Sequence, residues 1–475
     1  MKEYEVVIGL EVHVELATES KLFCSCSAKF GADANENVCP ACAGMPGMLP
    51  VANRKAIELG IAASLVTNSR ITPTITFDKK NYFYPDLSCS FQITQWFAPI
   101  CRDGYVDIET SNGAKRIHLK QIHIEEDAGK LVHAYGVSLV DYNRCSVPLV
   151  EIVSKPDFRN AEEVVVYLEK LRALLSFAGV SDCKMQEGSM RCDVNLSVRE
   201  QGETTLGVRT EMKNMNSLRA IERAIAYETQ RHIDALEFGT EKLMQETRRW
   251  DDNKGKSFAM RSKENATDYR YFPACDVMPI AISAQWIEAV KAGLPESSSD
   301  KFIRLTNELG VSENDAKIIT SSRRLSDIFD ALLARGLTAK DVVAWIITEL
   351  LSMEMAENKS YDDIVIDCEK FADLILLVNK KEISRSVAKK ILNLLYKENI
   401  DPLEYVKQNN LGMVSDTGVI EGIIASVLSE NENSVAQYKA GNEKVLGFLM
   451  GKVMAKTAGK ADPALVREML ISNFK

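Results

Sequence analysis

Four cysteines, Cys24, Cys26, Cys39 and Cys42, form a Cys-x-Cys followed by a Cys-x-x-Cys within KLFCSCSAKFGADANENVCPACAGMPG. Each close pair can supply two thiolates from a tight turn, and two pairs complete the tetrahedron of a structural zinc site. Turn formers surround them: Gly31, Asn35, Asn37, Pro40, Gly44 and Pro46. The first pair is tighter than usual, and four reduced thiols in a glycine-rich loop is the alternative. A four-sulfur site has no open position for water or substrate, so a zinc there would hold the fold and take no part in a reaction. Cys89, Cys101, Cys145, Cys183, Cys192, Cys275 and Cys368 lack ligand spacing and read mostly as buried free thiols.

A second set of reactive residues lies on alternating segments. In YEVVIGLEVHVEL (residues 4–16), Val6, Ile8, Leu10, Val12, Val14 and Leu16 share one face of a strand. Glu11, His13 and Glu15 line the other, with Glu5, Val7 and Gly9. MRCDVNLSVR puts Arg191, Asp193, Asn195 and Ser197 opposite Cys192, Val194, Leu196 and Val198. GVRTEMKN adds Arg209, Glu211 and Lys213, and RIHLKQIHIEEDAGKL ends in His123, Glu125, Glu126 and Asp127. A one-sided antiparallel sheet has a polar solvent face whatever it does. Converging carboxylates, however, repel one another unless a cation or base stands between them. Magnesium suits an oxygen-rich set completed by water and phosphate oxygens. His13 is an unusual ligand for it and could orient water or act as a base instead.

The elements that must carry these groups are also legible. Asn160 caps a predicted helix, with Glu163 three residues on, Gly179 past its end, and Val164, Leu168, Leu171 and Leu175 as its apolar stripe. Another helix is predicted from Ser217 to Gly239. QETRRWDDNKGKSFAMRSKENATDYRYFP mixes Arg248, Arg249, Lys254, Lys256, Arg261, Lys263 and Arg270 with Trp250, Tyr269, Tyr271 and Phe272. Its Gly and Asn predict a mobile loop, suited either to phosphate or RNA contacts or to internal ion pairs. Beyond residue 293 the pattern is nearly all helical, with Thr338 as a cap and KENIDPLEYVKQNN as a linker near Pro402. Residues 411–475 form a small helical module. Its stripe is Leu446, Leu449, Met450 and Val453, and Gly451, Lys452, Lys456, Gly459 and Lys460 suit an anion or RNA backbone.

The 475 residues allow two to four domains, and 46 % hydrophobic with 26 % charged content is that of a soluble globular chain. No apolar run is long enough for a membrane span. The opening MKEYEVVIGLEV lacks a secretory leader's basic-then-apolar pattern, so a cytoplasmic protein with reduced cysteines is expected. A net charge of −9 argues against non-specific nucleic-acid coating, though not against a local basic patch. No Gly-x-Gly-x-x-Gly or Walker loop is present.

IGLEVHVEL, SKLFCSCSAKFGADANENVCPACAGMPGMLPVAN, KKNYFYPDL, HIEEDAGKL, SLVDYNR, VPLVEIVSKPD, EGSMRCDVNLSVR, EMKNMNS, QETRRWDD and DYRYFP resemble, in order, the B-subunit (GatB) family of the glutamyl/aspartyl-tRNA amidotransferases. FLMGKVMAKTAGKADP resembles that family's YqeY-like tail. The resemblance implies an α+β protein. A cradle with a mainly antiparallel sheet and a zinc-binding insert would span 1–293, a helical domain 294–407, and the tail 408–475. It implies a heterotrimer with a GatA-like amidase and a small GatC-like subunit, acting on Glu-tRNA(Gln), Asp-tRNA(Asn) or both. ATP, with Mg2+, would phosphorylate the side-chain carboxylate of the attached residue, and ammonia channelled from the amidase would displace phosphate. Carried over by motif, Glu11, His13, Glu125, Glu126, Asp193, Asn195 and Glu211 should line the kinase pocket, with Glu11, His13 and Glu125 on magnesium. Lys79, Lys80 and Tyr82 are expected near the pocket or the ammonia path, and Arg191, Lys213, Arg248 and Arg249 around ATP or substrate. The cysteine motif resembles the family's zinc-binding version. Where the family usually reads Pro-Lys-Gly-Tyr-Gln after YFYPDL, this chain has SCSFQ, and Cys145 and Ser146 replace a usual Ala-Gly.

Two other classes compete. A zinc-bearing tRNA-binding protein without catalysis would explain the cysteines and the basic-aromatic segment, but not the aligned Glu11, Asp193 and Glu211. A stand-alone metal hydrolase would need an open, histidine-rich zinc site, which the sequence lacks.

Overall fold

The computed structural model describes residues 2–134, 136–262, 266–353, 361–412, 417–439, 442, 444–457, 461 and 463–474. It separates into two units, Met1–Ser298 and Ser299–Lys475.

In the first unit the main strands are β1 (Tyr4–Glu15), β2 (Arg70–Ile71), β3 (Cys101–Arg102), β4 (Tyr105–Thr110), β5 (Gly113–Glu126), β6 (Pro148–Ser154), β7 (Met190–Glu200), β8 (Thr210–Lys213), β9 (Glu246–Asp251) and β10 (Lys256–Ser262). They form one ten-stranded sheet in the order β10-β9-β8-β7-β1-β6-β5-β3-β2, with β4 also paired to β5. Only β8 and β9 run parallel. Alternation in β1 sorts its residues as expected: Ile8, Leu10, Val12 and Val14 are buried in the core.

Helices α1 (Arg54–Val66), α2 (Ala161–Phe177) and α3 (Leu218–Phe238) supply the other half of that core. Ile57 and Ile61, Leu168 and Leu171, and Ile221 and Ile225 join the β1 side chains in one cluster. The expected caps form. Asn160 accepts from the Glu163 amide at 2.9 Å, Ser217 accepts from Ala220 at 3.1 Å, and α3 ends at Gly239. Helix α1 has no counterpart in the sequence reading. Ala56, Ile57 and every residue from Leu59 to Ser64 are buried, so no polar face marks an amphipathic period. Gly60 lets it lie close to the sheet, since a Cβ there would stand 2.9 Å from Ile124 Cδ1.

The basic-aromatic segment is not the mobile loop expected. TRRWD and KSFAM are strands β9 and β10 of an edge hairpin, and β9 gains its place by parallel pairing with β8, a long-range contact that no local pattern announces. Lys263 lies outside the described residues. Further on, Phe272–Pro273 pairs with Asp78–Asn81, which pairs with Phe91–Thr94, making a small three-stranded sheet. Gln95 fastens it to β5 by accepting from the Ile124 amide at 2.9 Å.

The elements of the second unit's described residues are helices, with two separate cores. One gathers Leu325, Ile328 and Phe329 with Phe371, Ile375, Ile391 and Leu392. The other gathers Ile420, Ile424 and Val427 with Leu449, Val453, Val466 and Leu470. Thr338 caps its helix as expected. The linker near Pro402 is instead a helix, Pro402–Gln408, because Asp401 caps it and Pro402 fits its first turn.

Candidate active site

Five adjacent strands, β8, β7, β1, β6 and β5, bring the polar face of β1 together with its neighbours. The register sets Glu11 beside Asp193, His13 beside Arg191 and Glu151, Asn195 beside Glu211, and Glu151 beside His123. Two groups of three ligating side chains result. His13, Glu125 and Glu151 offer atoms within 4.8 Å of one another, as do Glu11, Asp193 and Glu211. Hydrogen bonds hold them in place. Asn195 donates to Glu11 at 3.0 Å, Thr94 to Glu125 at 3.1 Å, and Thr247 to Glu211 at 2.9 Å.

The face is electrostatically tense and internally compensated. His13 Nε2 lies 3.6 Å from Glu125 and 3.5 Å from Glu151, and His123 Nε2 lies 3.0 Å from Glu151. Burial alone would lower both imidazoles, but Glu151 and Glu125 outweigh it and lift His13 to about 9 and His123 to about 10. With no metal among the carboxylates both imidazoles stay protonated at neutral pH; a metal ion could use the His13 nitrogen only by displacing its proton, taking over the positive charge it carries. In the second group Lys213 bonds to Asp193 and lies 3.2 Å from Glu211; burial pulls its ammonium down, and those carboxylates more than restore it. Arg191 donates to Asp127 at 2.7 Å. Glu15, farther along β1, is pushed up to about 7 by burial and by Asp127.

Of the residues singled out from sequence, Glu11, His13, Glu125, Asp193, Asn195, Glu211, Arg191 and Lys213 meet on this face. Glu126 does not. Successive strand residues point oppositely, and its carboxyl accepts from the Ile93 amide at 2.8 Å. Burial raises it to about 7 in a cavity of about 190 Å³ that it shares with Cys42, Cys89 and Asp276. Lys79 is committed to Asp276 at 2.7 Å. Arg248 turns to the helix side, 3.3 Å from Glu228 and 2.7 Å from Glu246, while Arg249, paired in register with Lys213, is exposed. Lys80 stands over the rings of Tyr269 and Tyr82, at 4.7 Å and 5.5 Å. The sequence reading missed Glu151 and gave His123 no role. The signal was a lone glutamate inside the apolar strand PLVEIVS, where a charge survives burial only with partners.

The four cysteines converge as their spacing predicts, all within 4.8 Å of one another. Cys39 and Cys42 sulfurs are 3.9 Å apart, close to the roughly 3.8 Å edge of a tetrahedron with 2.3 Å zinc–sulfur bonds. The Cys39 amide donates to Cys42 Sγ at 3.2 Å. Cys42 is drawn down to about 4, chiefly by its hydrogen bond with Cys24, with the fully buried Lys21 ammonium 3.5 Å away assisting. The donor set and spacing therefore fit a thiolate-bound metal. Gly44 closes the knuckle at φ +71°, and a Cβ there would stand 2.8 Å from the Ser88 carbonyl. The knuckle is tied to residues 141–146: the Asn37 amide donates to Asn143 at 2.8 Å, and Lys21 donates to the Tyr142 carbonyl at 3.1 Å. Arg144 then reaches Asp127 at 3.2 Å, the carboxylate that holds Arg191.

A sheet that presents two clustered ligand triads with lysine and arginine among them is that of a catalytic domain, and comparison with known proteins agrees. Residues 6–288 match the GatB/GatE catalytic domain, and residues 327–473 match the GatB domain of the YqeY type. Relatives named as the B subunit of aspartyl/glutamyl-tRNA(Asn/Gln) amidotransferase are similar over nearly the full length. That of Lachnoclostridium phytofermentans is 51 % identical over 99 % of this chain and 98 % of its own. Those of Agathobacter rectalis and Caldicellulosiruptor bescii are 49 % and 48 % identical, covering 99 % and 98 % of this chain and of their own. The chain belongs to the B-subunit family of the aspartyl/glutamyl-tRNA(Asn/Gln) amidotransferases.

Proposed function

We propose that this chain amidates mischarged Glu-tRNA(Gln), Asp-tRNA(Asn) or both, and that the acidic face of β1 and its neighbours is where the side-chain carboxylate is phosphorylated by ATP. The observation that carries this is the pair of ligand triads side by side on one sheet face. A carboxylate is a poor acyl donor because its leaving group would be oxide. Phosphorylation supplies phosphate as the leaving group, and ammonia then takes its place to give the amide. Phosphoryl transfer asks the protein chiefly for positioning and charge neutralisation.

His13, Glu125 and Glu151, and beside them Glu11, Asp193 and Glu211, are the residues that would hold magnesium. Magnesium bound there supplies positive charge to phosphate oxygens. Lys213 and Arg191 add fixed cations at the same face, Asn195 orients Glu11, and Thr94 and Thr247 orient Glu125 and Glu211. Tyr82 and Lys80 stand at the rim. The four cysteines would hold a structural zinc that takes no part in the reaction and would fix the loop through which Arg144 and Asp127 steady Arg191.

The partners in this reading are a GatA-like amidase that supplies ammonia, a small GatC-like subunit, and the tRNA. The division into a cradle (1–293), a helical domain (294–407) and a YqeY-like tail (408–475) belongs to the same proposal. So does a cytoplasmic setting, in which the cysteines would stay reduced. The test is Glu151→Gln in the assembled complex. ATP-dependent amidation should fall at least about a hundredfold, with zinc content unchanged. Undiminished amidation would refute the site.

A further inference from the structure

We infer that Trp96 and Tyr271 form a stacking platform for an adenine ring at the rim of the acidic face. The inference rests on the proposed function, since that reaction has two adenine-bearing substrates: ATP and the 3′-terminal adenosine of the aminoacyl-tRNA.

The two rings are nearly parallel, 12° apart, with centroids 4.3 Å from each other. Trp96 nonetheless keeps 43 % of its surface exposed, so part of the indole stays open after Tyr271 has covered its share. Tyr269 meets Tyr271 edge-on at 6.0 Å and Tyr82 edge-on at the same distance, extending the aromatic surface. The Lys80 ammonium over Tyr269 and Tyr82 adds a cation suited to a phosphate beside a stacked base.

The rings are held by the small three-stranded sheet. The Trp96 and Phe97 amides donate to Asp78 Oδ2 at 2.7 and 2.9 Å, and Asn81 donates to the Arg270 carbonyl at 2.8 Å. That framework also touches the acidic face. Thr94, two residues before Trp96, donates to Glu125 at 3.1 Å. Burial pushes the Tyr271 hydroxyl above its ordinary range, with Glu125, Glu151 and Glu11 adding to the effect.

Every nucleobase has a π-face, and aromatic side chains read unpaired RNA ends and single nucleotides by stacking. No other patch among the described residues combines a partly open tryptophan, a neighbouring cation and direct hydrogen bonding to the acidic face.

The experiment measures KM for ATP and for the mischarged tRNA, separately, with the complete amidotransferase complex. The variants are Trp96→Ala, Trp96→Phe and Tyr271→Ala. Loss of a stacking surface should raise one KM by roughly tenfold, and Trp96→Phe should recover most of it. A rise confined to ATP makes the nucleotide the source of the adenine; a rise confined to tRNA makes it the terminal adenosine. Both KM values within about twofold of the parent's, in a complex that retains its partners and zinc, would overturn the platform while leaving the proposed reaction standing. Loss of the amidase from the Trp96→Ala complex would make the indole a protein contact and overturn it too. If the parent complex released no phosphate in response to mischarged tRNA, the proposed reaction would fail and the platform with it.

Discussion

The same imidazole meets opposite fates in three places. His13 and His123 are held cationic by Glu151 and Glu125, whereas His232 is fully buried against Thr210 Oγ1 at 2.9 Å and is lowered to about 4, by burial first and by Arg231 second. An imidazole near 6.5 when unfolded and near 4 when folded takes up its proton first in the unfolded chain. Its contribution to stability is complete above about pH 6.5 and is lost as pH falls toward 4, by up to roughly 3 kcal/mol. Thermal unfolding at about pH 7 and pH 5 should therefore show a smaller acid loss in His232→Gln than in the parent; equal losses would contradict this. The chemistry of Glu11, His13, Asp193 and Glu211 was legible as polar residues at period two. Glu151 was not, because a single charge inside an apolar run gives no period. Glu126 was misplaced by taking neighbours in HIEED as a group, although a strand must send them to opposite faces.

Strand β1 was legible because its burial on one side and chemistry on the other impose strict alternation. Helix α1 was hidden by burial nearly all round, and the β9–β10 hairpin by depending on a parallel neighbour distant in sequence. Asn53 joins α1 to the segment that leads into the cysteine knuckle. Its side-chain oxygen accepts from the Lys55 amide at 2.9 Å to cap α1, and its amide donates to the Ser20 and Lys21 carbonyls at 3.1 and 3.3 Å. Asn53→Ala should lower stability by about 1–2 kcal/mol through the lost cap and the unmet carbonyls. Denaturant titration of the first unit's unfolding checks this, and a midpoint shift within error of the parent would show that the cap contributes nothing. The linker expected near Pro402 was a helix start in disguise: Asp-Pro reads as a turn, but it is also a cap followed by the residue best suited to a first turn.

The net charge of −9 makes tRNA binding a matter of local patches, and the sequence reading offered the tail's Gly451, Lys452 and Lys456 as one. Not every tail cation is available for that. Lys456 is bonded to Glu430 and to Ser426 at 2.7 Å, while Lys452 lies over the Phe448 ring at 5.4 Å. The apolar stripe of that module proved to be a core face, with Leu449 and Val453 fully buried. Deleting residues 411–475 should weaken tRNA affinity by roughly tenfold at moderate salt while zinc content per chain stays at the parent's value. Unchanged affinity, measured by filter binding, would move the tRNA contacts elsewhere. The change from strands to helices near residue 293 was read from pattern and the α+β class was implied by the family resemblance, whereas the pairing order of ten strands could not be read, since it depends on which distant segments meet.

The most direct measurement is phosphate release from ATP by the assembled complex, compared with Glu-tRNA(Gln), Asp-tRNA(Asn) and uncharged tRNA. Release that requires a mischarged tRNA is the predicted result and names the substrate. Release that is indifferent to the attached amino acid, or absent from a folded and zinc-loaded complex, would contradict a carboxylate-activating site on this sheet.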